Sequence, residues 1–308
     1  MVDEDVLLPV GDELPEVLLD LAVPHEDINE LVGLVRKAAA DPDVRALLEE
    51  SVKALVRDMG SVGFQPELPP WPEGLVSSEG LRRLFPVLVL LAALPHTRAY
   101  HDERGVPADI SRRTLADLGR QLAVHRRWHG SAGLVKPRWL WPHFRGELYQ
   151  LGRLQFQRAR LGERTGEAVR AAGLPLGPGD PCLSLHIPDF RGPLTPGACD
   201  ASLALARDFF ARRYPDEPYR VAGCHSWLLD TQLQKYLPED SNLVRFQRRF
   251  RIAYRETEAE DSVPVFFVFG DPELPVEALL QRTAVERAVA GHLLAGEHWY
   301  LGHGWFEL

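Results

Sequence analysis

The stretch that decides the fold spans residues 182–214 and reads CLSLHIPDFRGPLTPGACDASLALARDFFARRY. Its first six residues alternate, with Leu183, Leu185 and Ile187 on one face and Cys182, Ser184 and His186 on the other. Because successive side chains of a strand point to opposite faces, this pattern predicts a β-strand. The later residues follow helical spacing, so the stretch predicts a strand, a loop and a helix in succession.

The predicted start of that helix has the features of an anion-binding site. Thr195 is the expected N-cap, and Pro196 is the expected first helical residue. Gly197, Ala198 and Cys199 then supply backbone N–H groups with little side-chain bulk. Because the first N–H groups of a helix lack helical partners and lie at the positive end of its dipole, a phosphate group could approach them closely. The alternative is an ordinary capped helix.

A second unusual segment is CHSWLLD, residues 224–230. Strand alternation places Cys224 and Ser226 on one face and His225 and Trp227 on the other. A neutral imidazole can take a proton from an amine, directly or through water, which makes His225 a candidate base. His186, on the preceding predicted strand, is the second candidate. For each of them the alternative is a structural histidine held by hydrogen bonds.

The composition indicates a folded protein with more than one domain. The chain has 308 residues, of which 45% are hydrophobic and 26% charged, and its net charge is −9. The acidic excess lies at the N-terminus, where residues 1–60 hold 15 acidic and 5 basic side chains. This balance, and the lack of a recognition pattern among the basic residues between Arg120 and Arg160, disfavours nucleic-acid binding.

The compartment expected from the sequence is the cytoplasm. There are 3 cysteines and no CxxC pair, which is typical of a reducing environment. The acidic start MVDEDVLLPV lacks the basic region of a secretory signal. The longest apolar run, from Phe85 to Leu94, is too short for a membrane span, which needs about 20 residues. We therefore expect no membrane association.

The pattern of elements predicts an α+β protein. Residues 1–135 read as a helical domain, with helix starts near Asp27 and at Asp41-Pro42. Residues 136–308 read as a mixed β-sheet flanked by helices. The expected strands cover 147–157, 182–187, 219–227, 245–255 and 263–269, and the expected helices cover 198–213, 230–237 and 275–295.

The remaining histidines give weaker signals. His125 and His129 are four residues apart, which could place both on one helix face, but no third metal ligand follows with a recognisable spacing. We therefore expect no metal. His292, His298 and His303 lie among aromatic residues and are expected to pack at the end of the chain. The P-loop, the G-x-S-x-G elbow, H-E-x-x-H and a G-x-G-x-x-G after a strand are all absent from the sequence.

Three segments carry a resemblance to a known family. They are FRGELYQLGRLQFQ (144–157), HIPDFRGPLTPGACDASLALARDFFARRYP (186–215) and CHSWLLDTQLQKYLPEDSNLVRFQRRF (224–250). They resemble bacterial acyltransferase-domain proteins, which have a helical N-acyltransferase N-terminal domain and a GNAT-like C-terminal domain. Residues 100–122 are similar to that N-terminal domain. The resemblance covers most of the chain.

The resemblance implies an N-acyltransferase that moves an acyl group from acetyl-CoA or another acyl-CoA to an amine of a small molecule or peptide. It implies that the acyl-CoA lies between two splayed strands, CLSLHI and YRVAGCHSW, with its pyrophosphate at the helix that begins near Pro196. His225, His186 and Tyr236 are the implied catalytic residues, with Tyr236 protonating the leaving thiolate. The expected cofactor-binding residues are Leu185, Ile187, Arg191, Gly192, Gly197, Ala198 and Cys199, and the expected substrate-binding residues are Ser184, Cys224, Ser226 and Trp227.

Two alternative hypotheses remain at this point. GNAT enzymes usually carry Q/R-x-x-G-x-G/A at the phosphate loop, whereas here Thr195 or Pro196 stands where a glycine would be. This departure motivates a non-catalytic, GNAT-like protein that binds a ligand or a regulatory partner. Modification of nucleic acid is a third hypothesis, which rests only on the arginine-rich region.

Overall fold

A computed structural model of the protein describes residues 8, 9, 11, 13–75, 78–189 and 191–308. The chain divides into two compact units, Met1–Gln150 and Leu151–Leu308. The first is helical and the second is built on a mixed sheet, which confirms the predicted α+β class. In the described part of the chain, no helix is both long and apolar enough to cross a membrane.

Helices make up the first unit. Asp41 caps the third of them, since its Oδ1 accepts hydrogen bonds from the backbone N–H groups of Asp43 and Val44. The second helix, however, begins at His25 rather than near Asp27, whose carboxylate is bound by Arg126. The helices are α1 (Glu13–Asp20), α2 (His25–Ala40), α3 (Pro42–Val56), α4 (Glu79–Glu103), α5 (Ala108–Leu115), α6 (Asp117–His129) and α7 (Trp141–Phe144).

The second unit alternates strands and helices. Its elements are β1 (Leu148–Leu151, at the boundary between the units), β2 (Leu154–Arg160), α8 (Glu163–Ala171), β3 (Pro181–His186), α9 (Pro196–Arg213), β4 (Val221–Ser226), α10 (Asn242–Gln247), β5 (Arg251–Arg255), α11 (Ser262–Phe269), α12 (Ala284–Leu294) and β6 (Gly302–Glu307). Short 3-10 turns cover Trp227–Leu229, Thr231–Lys235 and Val276–Ala278.

The sheet has the strand order β1-β2-β3-β4-β6-β5. Strands β3 and β4 are parallel, whereas β2–β3, β4–β6 and β5–β6 are antiparallel. The register of the parallel pair contains only Leu183↔Ala222 and Ser184↔Gly223, so the two strands pair at those positions and are not paired further along. We call the resulting gap, between 185–186 of β3 and 224–226 of β4, the splay.

Two predictions for the second unit were wrong in part. The apolar run 263–269 forms helix α11 rather than a strand, since a continuous apolar run has no period that distinguishes the two. Residues 245–255 divide between helix α10 and strand β5. The aromatic C-terminus, for which the sequence predicted packing but no strand, packs as expected and forms strand β6 between β4 and β5.

Two glycines of the helical unit provide a test of its packing. A Cβ on Gly119 of α6 would lie 2.0 Å from the backbone oxygen of Ala22, whereas a Cβ on Gly33 of α2 would meet no atom within 4 Å. Gly119→Ala should therefore lower the free energy of unfolding by about 1–3 kcal/mol or more through overpacking. Gly33→Ala should raise it by up to about 1 kcal/mol, because alanine favours a helix.

Urea denaturation of both variants measures these changes. Because both variants replace glycine with alanine in a helix, helix propensity alone would change the free energy of unfolding in the same direction in both. A stabilised Gly119→Ala variant would contradict the close approach of α6 to residue 22.

Candidate functional site

Helix α9 begins where the sequence predicted a phosphate-binding helix start. Thr195 is its N-cap, with Oγ1 accepting a hydrogen bond from the N–H of Ala198 at 3.3 Å. Gly197 is exposed, and no atom lies within 4 Å of the position of its missing Cβ. Cys199, in contrast, is only 1% exposed, so its thiol faces the interior. The approach to this helix start is therefore along the small residues 197 and 198.

A single arginine fixes the first turns of α9. The Arg249 guanidinium donates hydrogen bonds to Oδ1 of Asp200 at 2.7 Å and to the carbonyl oxygen of Pro196 at 3.2 Å. The hydrogen bond from Arg249 holds the pKa of the Asp200 carboxyl below its ordinary value. The negative charge of Asp200 is thus balanced by an arginine and not by the helix start alone.

Strand β3 brings its polar residues to one face of the sheet, as the alternation predicted. The register pairs Ser184 with Gln157 and His186 with Gln155, so these side chains share a face with the neighbouring strand. Nε2 of His186 lies 3.1 Å from Oε1 of Gln157. Because that oxygen only accepts, Nε2 donates, and a neutral His186 ring then keeps Nδ1 deprotonated. Leu185 and Ile187 belong to the opposite face.

Across the splay, strand β4 presents His225 on the same face as His186. His225 is exposed, whereas its neighbour Cys224 is buried on the opposite face, where desolvation raises the pKa of its thiol to about 12. Ser226 accepts a hydrogen bond from the N–H of Leu228 at 3.1 Å, and Trp227 packs in an apolar cluster. Of the four expected substrate-binding residues, Cys224 and Trp227 therefore offer little surface to a ligand.

His225 ends a row of stacked side chains that runs across β4, β6 and β5, which we call the imidazole row. Its ring stacks on that of His303 with centroids 3.8 Å apart, and His303 stacks on Tyr254 at 4.0 Å. The Arg164 guanidinium carbon lies 3.5 Å from the centroid of the Tyr254 ring. Oε1 of Glu256 accepts a hydrogen bond from Nε2 of His303 at 2.9 Å. These contacts fix the orientation of the His225 ring from the side of β6.

The environment of the row keeps both imidazoles neutral. Burial lowers the pKa of His225, against the opposing charges of Glu256 and Glu260. Burial, followed by the charge of His225, lowers the pKa of His303 to about 4. An exposed imidazole that stays unprotonated at neutral pH can accept a proton, as the sequence analysis required of His225.

The same side chains include a possible set of metal ligands. One ligand atom from each of His225, Glu256 and His303 lies within 4.8 Å of the others. However, two imidazole rings that are nearly parallel and stacked, with centroids 3.8 Å apart, cannot both direct a nitrogen at one ion, since a ring nitrogen binds metal in its own plane. The arrangement favours a hydrogen-bonded stack. His125 and His129 also approach each other, and within the described ranges no third ligand joins them.

Tyr236 forms a hydrogen-bonded chain with a buried histidine. Its hydroxyl oxygen is 2.8 Å from Nδ1 of His292, and Nε2 of His292 is 3.1 Å from the carbonyl oxygen of His298. That carbonyl only accepts, so Nε2 carries a proton, and in a neutral ring Nδ1 accepts the hydrogen of Tyr236. Tyr236 is 39% exposed, but its hydroxyl therefore donates its hydrogen to the buried His292. To protonate a thiolate it must rotate outward about its C–O bond.

The sequence analysis missed the residues that support these groups. His303 and Glu256 orient His225, His292 holds Tyr236, and Arg153 contacts the loop before α9. The alternation of GHGWFE, residues 302–307, is the one signal that could have identified β6 and the cross-strand partner of His225. No local pattern indicates the other contacts, because they join distant segments of the chain.

Comparisons with known proteins identify the family of both domains. The model of the N-acyltransferase N-terminal domain family matches residues 12–146, and that of the GNAT-like C-terminal domain family matches residues 148–306. Among solved structures, the chain is similar to an acyltransferase in complex with decanoyl-CoA and teicoplanin, with 39% identity and a TM-score of 0.87 over 99% of this chain and 91% of that chain. A comparison with proteins of curated function gave no significant match.

Two further structures are similar to the same extent. An acyltransferase in complex with CoA and 10C-teicoplanin has 39% identity and a TM-score of 0.87, and one in complex with decanoyl-CoA has 38% identity and a TM-score of 0.85. Each match covers 99% of this chain and 91% of the chain in the solved structure.

The depressed pKa of His303 makes folding stability depend on pH. As the pH falls below 6.5, the unfolded chain binds a proton at this residue that the folded chain does not bind until about pH 4. The stability contributed here is therefore complete above pH 6.5 and is lost as pH falls toward 4, by up to about 1.4 kcal/mol per pH unit. His303→Phe, which keeps a stacked ring, should reduce this slope.

Urea denaturation across that pH range measures the slope. His129→Phe is the matched control, since His129 is exposed on α6 and lies outside the imidazole row. An unchanged slope in His303→Phe would contradict the assignment of the effect to His303.

Proposed function

The chain belongs to the acyltransferases that join an N-acyltransferase N-terminal domain to a GNAT-like C-terminal domain, and from this premise we propose how its own residues perform the transfer. Acyl-CoA is the donor, and the acceptor is an amine of a small molecule or peptide. The observation that carries the proposal is the splay, which has a histidine of β3 on one side and a histidine of β4 on the other, on the same face of the sheet.

We place the pyrophosphate of CoA at the start of α9. The exposed Gly197 supplies a backbone N–H donor, since the N–H of Ala198 is already bonded to Oγ1 of Thr195, and the helix dipole supplies partial positive charge. Arg191 and Gly192, in the loop between β3 and α9, lie next to this helix start in the chain. The pantetheine and thioester would then extend into the splay, where β3 and β4 no longer pair.

The amine attacks the thioester carbonyl carbon beside the two histidines. A C–N bond forms, and the tetrahedral intermediate collapses as the C–S bond breaks. Backbone N–H groups on the side of β4 that faces the splay stabilise the developing oxyanion. Cys224 contributes through its backbone alone, because its thiol is buried on the opposite face.

His186 takes the proton that the amine nitrogen loses. Its hydrogen bond with Gln157 fixes the ring and leaves Nδ1 deprotonated, which is the arrangement of a base that is oriented by a third group. His225 lies across the splay as a second neutral imidazole and relays a proton or accepts a hydrogen bond from the amine. Tyr236 returns a proton to the thiolate after its hydroxyl turns away from His292.

The acceptor that we propose is a glycopeptide of the teicoplanin type. The support is that two similar structures are acyltransferases in complex with teicoplanin or 10C-teicoplanin, over nearly the whole of this chain. The acyl donors in similar structures carry octanoyl or decanoyl groups, so we propose a medium-length chain as the preferred acyl group. This makes the product an N-acylated glycopeptide.

A direct assay tests this function. Purified protein is incubated with octanoyl- or decanoyl-CoA and with the deacylated amine form of a teicoplanin-type glycopeptide. We expect release of free CoA thiol and a glycopeptide mass increased by one acyl group. Acetyl-CoA and a simple sugar amine are the comparison substrates. Thiol release with the sugar amine alone would overturn the proposed acceptor, whereas the absence of thiol release with every amine would overturn the mechanism.

The proposed roles of the histidines predict unequal losses. His186→Ala should lower kcat by about a hundredfold or more, the usual contribution of a general base. His225→Ala should lower kcat by a smaller factor. Gln157→Leu should also lower kcat, but less than His186→Ala does, because the His186 ring loses its orienting partner. A larger loss in His225→Ala would contradict this assignment.

A further inference from the structure

The hairpin turn between β1 and β2 is fixed against the first turns of α9. Gly152 has φ +71°, and a Cβ at this position would lie 2.7 Å from Oγ of Ser202. That hydroxyl, fully buried on α9, accepts hydrogen bonds from the N–H groups of Arg153 at 2.7 Å and Leu154 at 3.3 Å and donates to the carbonyl oxygen of Ala198. The backbone of Arg153 therefore has a defined position relative to the helix.

From this turn, the Arg153 side chain reaches the loop that joins β3 to α9. Its Nε donates to the carbonyl oxygen of Gly192 at 2.7 Å, and its Nη1 donates to that of Pro188 at 3.0 Å. The two carbonyls bracket residues 189–191, so one guanidinium holds both sides of the loop. The fork of an arginine can make these two contacts together, whereas a lysine offers a single charged point.

The charge of Arg153 is not cancelled by these hydrogen bonds. Both acceptors are neutral carbonyl oxygens, and the guanidinium is partly withdrawn from water, which lowers its pKa. Asp189 opposes this effect and Arg191 adds to it. A partly desolvated cation beside a loop and a helix start favours an anion in the same region.

We propose that Arg153 is the positioning residue of the acyl-CoA loop, holding Pro188 and Gly192 where the loop receives the pyrophosphate. This inference rests on the placement of CoA in the proposed function. The loop lacks the glycine pattern of other GNAT enzymes, and a side chain from the neighbouring hairpin constrains Pro188 and Gly192 in place of local glycine geometry.

Steady-state kinetics with two donors test this role. Arg153→Ala should raise KM for octanoyl-CoA by about tenfold or more, as expected for loss of hydrogen bonds from a charged group, and leave KM for the acceptor unchanged. With octanoyl-N-acetylcysteamine, which lacks the pyrophosphate, Arg153→Ala and the parent protein should be equally active. Arg153→Lys keeps the positive charge but not the two-pronged guanidinium. Its KM for octanoyl-CoA should lie between those of Arg153→Ala and the parent protein.

A matched control separates this role from a general effect of removing an arginine. Arg160, at the end of β2, also donates a side-chain hydrogen bond to a loop carbonyl, that of Gly179, and is exposed. Arg160→Ala should leave KM for octanoyl-CoA unchanged. Hydrogen exchange of the loop amides in the unliganded protein should increase in Arg153→Ala and not in Arg160→Ala.

The outcomes distinguish this inference from the placement of CoA. Ala198→Asp puts a negative charge at the start of α9 and should raise KM for octanoyl-CoA. If Ala198→Asp raises this KM while Arg153→Ala keeps the KM of the parent protein, the role of Arg153 is overturned and the placement of the pyrophosphate stands. If neither variant changes KM, the placement of the pyrophosphate is overturned as well. Equal losses with both donors would reduce Arg153 to a structural residue, and if Arg153→Ala does not fold, Arg153→Lys carries the same comparison.

Discussion

The parallel pairing of β3 and β4 over two residue pairs, followed by their separation, is the constraint on which the rest of the site depends. Parallel neighbours normally share an evenly spaced ladder of hydrogen bonds, whereas here the register of β3 and β4 ends after two residue pairs. The proposed occupant of the gap between the strands is the thioester arm of acyl-CoA. The separation also places His186 and His225 on opposite sides of one opening rather than on adjacent, closed strands.

Each histidine beside the splay is fixed by a partner on the next strand away from it. Gln157 of β2 holds His186, and His303 of β6 stacks on His225. The neutral state of the second histidine follows from burial and from the stack, since two imidazolium rings in contact would repel each other. The sheet therefore sets the orientation of both histidines and keeps His225 neutral.

Much of the fold was predictable because its signals are local. The caps Asp41 and Thr195, the alternation of β3 and β4, and helix α9 each depend on residues a few positions apart. The family resemblance on three segments is confirmed by domain matches that cover residues 12–146 and 148–306. The run 263–269 was misassigned because a buried strand and a short buried helix share the same apolar composition, and only packing distinguishes them.

The sequence by itself determined the α+β class, the capped helix after β3 and the two histidines that flank the splay. The tertiary structure decided which side chains support them, namely His303 and Glu256 behind His225, His292 behind Tyr236, and Arg153 on the loop before α9. The physical reason is that a cap or a strand pattern is set by neighbours within one or two turns, whereas a stack or a forked hydrogen bond needs segments that only strand order and register bring together.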